Sequence, residues 1–353
     1  MRTVISPIGI GIVGGGFMAR TWAECAVRDD RAALRAVFGG RRARELAAKY
    51  GIAEVESMAT LTARQDIQAV VITSPPAAHA EQTIRAAEAG KNVLVEKPMA
   101  RSAADAERMV RTCAEVGVTL SIVSQHRFRA SQMRAQTIIR NGSIGAVRMI
   151  RLSGINQWWD FTANGDSWKI DPEHMNVFHD WGSHACDILR FQIGAEPVRV
   201  IAESTSYAGD PPDQSTMAIF MFANGVLANL WMTYEAPHPR FDSAIRLMVV
   251  GSNGLLDVDS YAGVRIANDG KWRQDFRQPA FDPLRHDDPV RLGAYQREFA
   301  DFLDACATGR PPEVTGWDGL MCMRMLEATL ASARKHEAVQ IKGVGAKDDA
   351  GAL

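Results

Sequence analysis

The alternation of two kinds of segment over residues 8–124 constrains the fold of this chain more than any other feature. Short apolar runs rich in β-branched residues alternate with alanine-rich segments whose apolar residues recur at helical spacing. The runs are Ile8–Val13, Ala33–Phe38, Ala69–Ile72, Asn92–Val95 and Thr119–Val123, and the helical segments are Ala19–Val27, Ala43–Tyr50, Ala78–Ala89 and Ala103–Val116. This pattern predicts a parallel sheet with helices on both faces.

The sequence after Arg127 changes to a pattern typical of antiparallel strands. Several segments alternate apolar and polar residues, and turn sequences such as Ala223-Asn224-Gly225 separate them. The predicted strands are Arg148–Ser153, Val198–Ser204, Met217–Met221, Val226–Tyr234, Ile245–Val250 and Gly254–Val258. Amphipathic helices are predicted at Tyr295–Thr308 and Trp317–Lys335. We therefore expect a second, α+β region with a large, mostly antiparallel open sheet.

The length of 353 residues also indicates two domains, since a single core rarely grows beyond about 250–300 residues. We predict an α/β domain over residues 1–124 and an α+β domain over residues 125–342. The last segment, 343–353, is small and polar, and we predict a disordered tail there.

Composition argues against several classes of partner. The formal net charge is −1, so the chain lacks the basic excess of a protein that binds nucleic acid or a membrane surface. Its five cysteines are scattered and form no C-x-x-C pair, which argues against a disulfide or zinc framework. No apolar stretch approaches a membrane span and no secretory signal is recognisable, so we expect a cytoplasmic protein.

A glycine turn follows the first predicted strand and fits the pattern G-x-G-x-x-[G/A]. In that pattern the first glycine permits a tight turn, the second lets the backbone approach a pyrophosphate, and the small third residue packs the helix close to the strand. The helix N-terminus then faces the phosphates. An ordinary strand–helix turn is the alternative, but the position at the start of an alternating unit favours a dinucleotide site. The predicted contacts are Gly14, Gly16, Phe17, Met18 and Ala19.

The end of the second apolar run bears on the choice between NAD and NADP. An acid usually stands there to bind the NAD ribose, but this chain has Gly39, Gly40, Arg41 and Arg42. With no carboxylate to repel a phosphate and two guanidinium groups able to hold one, NADP is favoured and NAD stays possible. The alternative is that both arginines are solvated residues at the start of the next helix.

Two further motifs carry a resemblance to a known family. One runs from Ser74-Pro75 to His79 and is followed by the triplet Glu96-Lys97-Pro98; the other is Asp180-Trp181-Gly182-Ser183-His184-Ala185-Cys186-Asp187. Together with the glycine turn, in this order, they resemble the glucose–fructose oxidoreductase / inositol dehydrogenase (Gfo/Idh/MocA) family. The resemblance implies a Rossmann dinucleotide-binding domain, then a domain that binds substrate and forms a homo-oligomer, dimer or tetramer, through its sheet. It also implies hydride transfer between a nicotinamide and a secondary alcohol or ketone of a sugar, cyclitol or related polyol.

The catalytic residues that the resemblance implies are Lys97, Asp180 and His184. Lys97 ends the fourth apolar run, where open α/β sheets bind ligands, and a lysine there can stabilise a developing alkoxide. Asp180 and His184 are four residues apart, so on a helix they share a face, and a carboxylate there can orient the imidazole. Taken singly, the lysine could be a surface cation and the histidine a packed helix residue. Whether Lys97 or His184 accepts the proton stays open.

Other site residues follow from the resemblance alone. It implies cofactor contacts at Ser74, Pro75, His79, Glu96 and Lys97, and substrate contacts at Lys97, Arg127, Trp158, Trp168, Asn176, Asp180 and His184. Tryptophans stack well on sugar rings, although they are also common in cores. Histidines recur at residues 174, 179 and 184, but this spacing does not keep one helical face, so we predict no metal site.

Three rival functions remain at this point. A cofactor-binding sensor without turnover could keep the same fold, but it would not need Lys97, Asp180 and His184 together. A dihydrodiol dehydrogenase or a redox-assisted glycosidase could use the same three residues. The products of the reaction would distinguish these two enzymes from a polyol dehydrogenase.

Overall fold

A computed structural model of the chain describes residues 6–155, 177–207, 209, 212–237 and 244–343. By their contacts these residues form two compact units. The first extends to Gln125 and includes Phe281–Leu320, and the second comprises His126–Ala280 and the residues from Met321 onward. The predicted tail lies outside the described residues except for Gly343. No helix in the described part of the chain is long and apolar enough to cross a lipid bilayer.

The helices and strands are numbered here in chain order. The strands are β1 (Ile8–Val13), β2 (Ala32–Phe38), β3 (Ala53–Val55), β4 (Ala69–Ile72), β5 (Asn92–Val95), β6 (Leu120–Ile122), β7 (Val147–Ile155), β8 (Pro197–Thr205), β9 (Ser215–Phe222), β10 (Leu227–Thr233), β11 (Ile245–Gly251), β12 (Leu255–Asp259), β13 (Gly263–Ala267), β14 (Arg273–Arg277) and β15 (Val339–Gln340). The helices are α1 (Phe17–Val27), α2 (Ala43–Tyr50), α3 (Met58–Ala63), α4 (His79–Glu88), α5 (Ala103–Val116), α6 (Ala130–Arg140), α7 (Val177–Ile193), α8 (Pro289–Thr308) and α9 (Gly316–Lys335).

The first unit is built on a six-stranded parallel sheet in the order β3-β2-β1-β4-β5-β6. This is the doubly wound order whose ligands bind at the carboxyl ends of the strands, so the predicted fold class is confirmed. The sequence analysis missed β3 and α3, because a three-residue strand and a six-residue helix are too short to show a period.

Helix α8 attaches the later segment of the chain to the first unit. Tyr295 and Phe299 lie against Trp22 of α1, with ring centroids 5.4 and 6.2 Å away. The helix begins six residues before the predicted start, because Asp288 accepts hydrogen bonds from the backbone N–H groups of Val290 and Arg291. An aspartate followed by a proline is a helix-start signal that the sequence analysis did not use.

The second unit is built on a nine-stranded sheet in the order β14-β13-β12-β11-β7-β10-β9-β8-β15. All of its neighbouring pairs are antiparallel except β7 and β10, which run parallel. The predicted α+β fold with a mostly antiparallel sheet is therefore confirmed. The parallel pair differs from the antiparallel pattern expected after Arg127, because β7 pairs with strands far along the chain rather than with β8. Strands β13–β15 were not predicted.

Helices cover one face of the large sheet, and within the described residues the side chains of its other face, the open face, are largely exposed. Helix α7 packs on β7 and β10, and α6 packs on β12 and β13. Along β9 and β11 every second residue is buried, as period two requires. The residues between them on the open face include Met217 and Met248, which are 58% and 53% exposed. Both faces of these strands are therefore largely apolar.

Candidate active site

The turn between β1 and α1 is shaped by close contacts that exclude side chains. Gly14 has φ +106°, and a Cβ added there would lie 2.5 Å from the Thr73 hydroxyl oxygen. A Cβ on Gly15 would lie 2.5 Å from the backbone nitrogen of Ala43, at the start of α2. Gly16 has no atom within 4 Å of such a Cβ, so open space adjoins the start of α1. The first two glycines are needed for the turn itself, and the third leaves room for a ligand.

The N-terminus of α1 has no side-chain cap and no acidic residue in its first turn. Helix α5 in the same unit is different, because the Ser102 hydroxyl accepts a hydrogen bond from the backbone N–H of Asp105. The first N–H groups of a helix need acceptors, and a phosphate group can supply them. The uncapped helix start and the space beside Gly16 fit the pyrophosphate of a dinucleotide.

The loop after β2 approaches this turn. Gly39 and Gly40 both have positive φ, and a Cβ on Gly40 would lie 2.9 Å from the backbone nitrogen of Gly15. Arg41 and Arg42 are exposed, and Arg42 is the N-cap residue of α2 without a side-chain cap bond. Two exposed guanidinium groups therefore stand at a second uncapped helix start.

The loop after β4 is tied to the chain after β5 by a buried histidine. Both ring nitrogens of His79 face backbone carbonyl oxygens, Nδ1 at 3.0 Å from Pro98 and Nε2 at 2.7 Å from Ser74. Burial lowers the pKa of His79, and a neutral ring donates to only one of these oxygens at a time. The predicted contact of His79 with the cofactor stays a prediction, while the structure shows the ring joining two loops. Pro75 is exposed and Ser74 half-buried.

Glu96 and Lys97 occupy the end of β5. The Glu96 side chain is 5% exposed, and its carboxylate accepts hydrogen bonds from Trp22 Nε1 at 2.9 Å and from the Lys97 backbone N–H at 3.2 Å. Burial raises the pKa of this carboxyl group, and the Trp22 hydrogen bond partly offsets that effect. Lys97 is half-buried, and its peptide bond to Pro98 is cis. Lys97 thus stands at the carboxyl edge of the parallel sheet.

In the second unit, α7 carries the motif around His184. Asp180 and His184 lie on one face of this helix. The ring of His126 lies 4.6 Å from that of His184 between centroids, and Trp181 lies 5.6 Å from His184. His184 is therefore packed among rings, with a second imidazole beside it.

Tyr234, the residue that follows β10, is buried against the first turns of α7. Its hydroxyl oxygen accepts a hydrogen bond from the Trp181 backbone N–H at 2.9 Å. Burial, and after it the negative charge of Asp180, raises the pKa of Tyr234 well above its ordinary value. The hydroxyl thus stays protonated across the physiological pH range and fixes the start of the helix.

Comparison with known proteins agrees with this geometry. Residues 8–124 match the model of an oxidoreductase family with an NAD-binding Rossmann fold, and residues 133–257 match that of the GFO/IDH/MocA C-terminal domain. The chain belongs to the Gfo/Idh/MocA oxidoreductase family. The predicted family is thus confirmed, and the protein is an oxidoreductase with an NAD-binding Rossmann domain.

Individual relatives of this Gfo/Idh/MocA protein have different names. Inositol 2-dehydrogenase of Rhizobium meliloti is 26% identical over 95% of this chain and 99% of its own length. 2,7-Anhydro-N-acetylneuraminate hydratase of Mediterraneibacter gnavus is 30% identical over 81% of this chain and 79% of its own length. Among solved structures, an aldose–aldose oxidoreductase from Caulobacter crescentus has a TM-score of 0.81 and 25% identity, over 95% of this chain and 99% of that one.

Arg127 has a structural partner in this Gfo/Idh/MocA chain. It forms a buried pair with Asp187, the last residue of the motif, with Nε 2.8 and 3.0 Å from the two carboxylate oxygens. The guanidinium also lies over the Phe191 ring at 5.3 Å. Its charge is thus neutralised by Asp187 inside the second unit, and contact of Arg127 with substrate stays a prediction.

Other predicted residues of the Gfo/Idh/MocA site are outside what the structure describes. Trp158, Trp168, Asn176 and the histidine at 174 all fall in residues 156–176. Within the described ranges, no group of three or more His, Cys, Asp and Glu side chains is placed to hold a metal ion.

The sequence analysis missed His126, whose imidazole lies beside His184, and Tyr261, whose ring lies beside His126. His126 directly precedes Arg127, and its position after the last predicted strand of the first domain was the only local signal. Tyr261, which lies 6.1 Å from His126 and under the Arg129 guanidinium, sits in a hairpin turn that no motif marks. Only tertiary packing brings these residues together.

Proposed function

We propose that this protein transfers a hydride between a nicotinamide dinucleotide and a secondary alcohol or ketone of a sugar, cyclitol or related cyclic polyol. The observation that carries the proposal is the uncapped, glycine-lined start of α1, at the same sheet edge as Lys97. The names of two relatives, an inositol dehydrogenase and an aldose–aldose oxidoreductase, support the substrate class.

The chain's own residues would supply orientation and proton transfer. When bound, the nicotinamide accepts or supplies the hydride. The Lys97 ammonium would hydrogen-bond the substrate oxygen and stabilise negative charge as the alkoxide develops. His184 would share the proton transfer, and Asp180, on the same helix face, would orient its imidazole.

We further propose that NADP is preferred over NAD. Arg41 and Arg42 are exposed at the start of α2, and no carboxylate ends β2. A 2′-phosphate would gain two cationic donors and an uncapped helix start. The nearest acid along the helix, Glu45, is already paired with Arg20 at 2.9 Å. Its charge is therefore partly neutralised.

A substrate screen tests the proposed function. Purified protein is incubated with sugars, cyclitols and cyclic diols, each with NAD and with NADP, and the absorbance of the reduced nicotinamide is followed. Turnover of a polyol, faster with NADP, is expected. Tight dinucleotide binding without turnover of any compound would favour a sensor instead, and formation of an aromatic product would identify a dihydrodiol dehydrogenase.

A redox-neutral reaction is the second candidate, and the relative named as a hydratase favours it. The bound nicotinamide would take a hydride from a substrate carbon, the same residues would move the protons while a bond breaks or forms nearby, and the reduced nicotinamide would then return the hydride. The redox-assisted glycosidase considered from the sequence belongs to this class. Product analysis by NMR separates the candidates, because a redox-neutral enzyme changes an anhydro sugar or glycoside while the reduced cofactor does not accumulate.

We also propose that a second copy of this chain covers the open face of the large sheet. The exposed apolar residues of this face adjoin each other across strands: Met221 pairs with Leu227, Leu227 with Met149, and Met149 with Val250. Continuous apolar surface of this kind marks an interaction site. An identical face on a second copy offers an equally apolar surface, as an isologous dimer requires.

The oligomeric state tests this interface. Met217→Asp, on β9 in the open face, should shift the protein towards monomer in light scattering coupled to size-exclusion chromatography. Met133→Asp is the matched control, because Met133 is 41% exposed on α6, away from the open face. A monomeric wild type, or equal behaviour of both variants, would contradict the proposal.

A further inference from the structure

Trp22 connects the helix at the glycine turn with the end of β5. It lies fully buried within α1, and its Nε1–H donates to Glu96 Oε1 at 2.9 Å. An indole nitrogen can only donate, and an ionised carboxylate can only accept, so the pair is chemically matched. Tyr295 and Phe299 pack against the same indole.

The second oxygen of Glu96 accepts the backbone N–H of Lys97 at 3.2 Å. The backbone N–H of Glu96 itself still donates to Ile72 in the sheet, at 2.9 Å. Lys97 is therefore the first residue after β5 whose N–H is held by a side chain rather than by a neighbouring strand. Two donors converge on one carboxylate, one at each oxygen.

The chain is also held just beyond Lys97. The Pro98 carbonyl oxygen lies 3.0 Å from Nδ1 of the fully buried His79. The backbone is thus held on both sides of Lys97: the Glu96 carboxylate accepts the Lys97 N–H, and His79 contacts the carbonyl group of Pro98 after it. Its backbone direction is determined by buried groups on α1 and α4 rather than by the loop alone.

We propose that Trp22 is a positioning residue for Lys97, acting through Glu96. The inference rests on the proposed function in so far as Lys97 acts on substrate. It gives Glu96 a role other than the predicted cofactor contact, because both of its oxygens accept hydrogen bonds from within the unit. The same helix that would hold the pyrophosphate then also orients the lysine.

Removing the indole donor should weaken the hydrogen bond that the Lys97 backbone N–H donates to Glu96. Burial already raises the pKa of Glu96, and the Trp22 hydrogen bond acts against that rise. Without the donor the carboxyl group takes up a proton more readily, and a neutral carboxyl is a weaker acceptor for the Lys97 N–H. The Glu96 N–H should not change, because its acceptor is Ile72 in the sheet.

Amide hydrogen exchange of the cofactor-free protein tests the proposal. In Trp22→Phe, exchange of the Lys97 amide should accelerate by at least about tenfold, while the Glu96 amide stays within about threefold of wild type. Phe299→Leu is the matched control, since it removes packing against the same indole but leaves its donor. Equal exchange at Lys97 in both variants, or equal acceleration at both amides, would overturn the proposal.

Glu96→Gln provides a second variant in case Trp22→Phe does not fold. A glutamine keeps an acceptor oxygen at one of the two positions and places an NH2 donor at the other, so either the Trp22 Nε1–H or the Lys97 N–H faces a donor in place of its acceptor. Faster Lys97 exchange, or loss of the Trp22 indole N–H signal from its hydrogen-bonded NMR position, is expected. If both signals stay as in wild type, the carboxylate does not hold Lys97 and the proposal is wrong.

Turnover separates this inference from the proposed function. With the fastest polyol of the screen, Trp22→Phe should lower kcat at least about tenfold and leave the cofactor KM within about threefold. Unchanged kcat, together with loss of turnover in Lys97→Met, would overturn the positioning role alone. Full turnover in Lys97→Met would instead overturn the role of Lys97 in the proposed function, and the exchange rates would still decide whether Trp22 holds its backbone.

Discussion

The candidate site of the first unit is formed mainly by backbone groups, whereas that of the second unit is formed by side chains. In the first, the backbone of the turn at Gly14–Gly16 approaches other backbone closely, and the candidate phosphate contacts are N–H groups that every residue except proline has. In the second, the groups beside His184 are the side chains of His126 and Trp181. A site of the first kind depends on the absence of side chains, whereas one of the second kind depends on their identity.

This difference predicts different responses to mutation. At the glycine turn, adding one carbon should matter more than changing a charge, because the contacts are already at the limit of close packing. Around His184 and Lys97, changes of chemical group should matter most.

Lys97→Met and His184→Ala each remove one proposed proton-transfer group, one from each unit. Turnover should fall by about 10²–10⁴-fold in each variant, since a general acid or base contributes that much. The dissociation constant for NADPH, measured by fluorescence titration, should change by less than about threefold. Full turnover in either variant would remove that residue from the proposed mechanism.

Gly15→Ala and Gly16→Ala separate the turn from the ligand space. Gly15→Ala should lower the free energy of unfolding by about 1–3 kcal/mol, because its Cβ meets the backbone at the start of α2. Gly16→Ala should change it by less than about 1 kcal/mol, yet both should weaken NADPH binding about tenfold or more. Urea unfolding and fluorescence titration measure the two effects. Wild-type affinity in Gly16→Ala would show that no ligand uses this space.

Arg41→Ala and Arg42→Ala test the cofactor preference. Each should weaken NADPH binding by about tenfold and leave NADH binding nearly unchanged, because an exposed charge-assisted contact to the 2′-phosphate is lost. Arg44→Ala is the control, since Arg44 is exposed on the same helix and pairs with Glu54. Equal effects on both cofactors, or a wild-type preference for NADH, would reverse the choice of NADP.

Glu24→Gln tests a part of the first unit that has no predicted role in either site. Hydrogen bonds from Lys49, Tyr50 and Arg28 outweigh burial and lower the pKa of Glu24 to about 2. A lowered pKa stabilises the folded state above the unfolded pKa of 4.5, and this stabilisation is lost as pH falls towards 2.

The free energy of unfolding of wild type should therefore exceed that of Glu24→Gln by about 1–2 kcal/mol at neutral pH. This difference should become smaller below about pH 4.5. Urea unfolding between about pH 6 and pH 3 measures it. A difference that stays constant over this range would contradict the assigned pKa. Glu81→Gln is the control, because its pair with Arg85 is well exposed.

More features of the first unit than of the second could be predicted from the sequence. Five of the six parallel strands and the turn at Gly14 follow from local pattern, because periodicity and glycine geometry are properties of neighbouring residues. The pairing of β7 with β10 and the ring contact of His126 with His184 have no local signal, since their partners are far apart in the chain. Motifs predicted the site residues, but not what each one contacts.

The sequence by itself determined the class of the first sheet, the glycine turn and the family to which the chain belongs. The tertiary structure decided which polar groups are committed to each other: Trp22 to Glu96, Arg127 to Asp187, and His79 to the carbonyl oxygens of two loops. The physical reason is burial. A polar group removed from water must find its partner inside the protein, and only the folded chain brings that partner within hydrogen-bond distance.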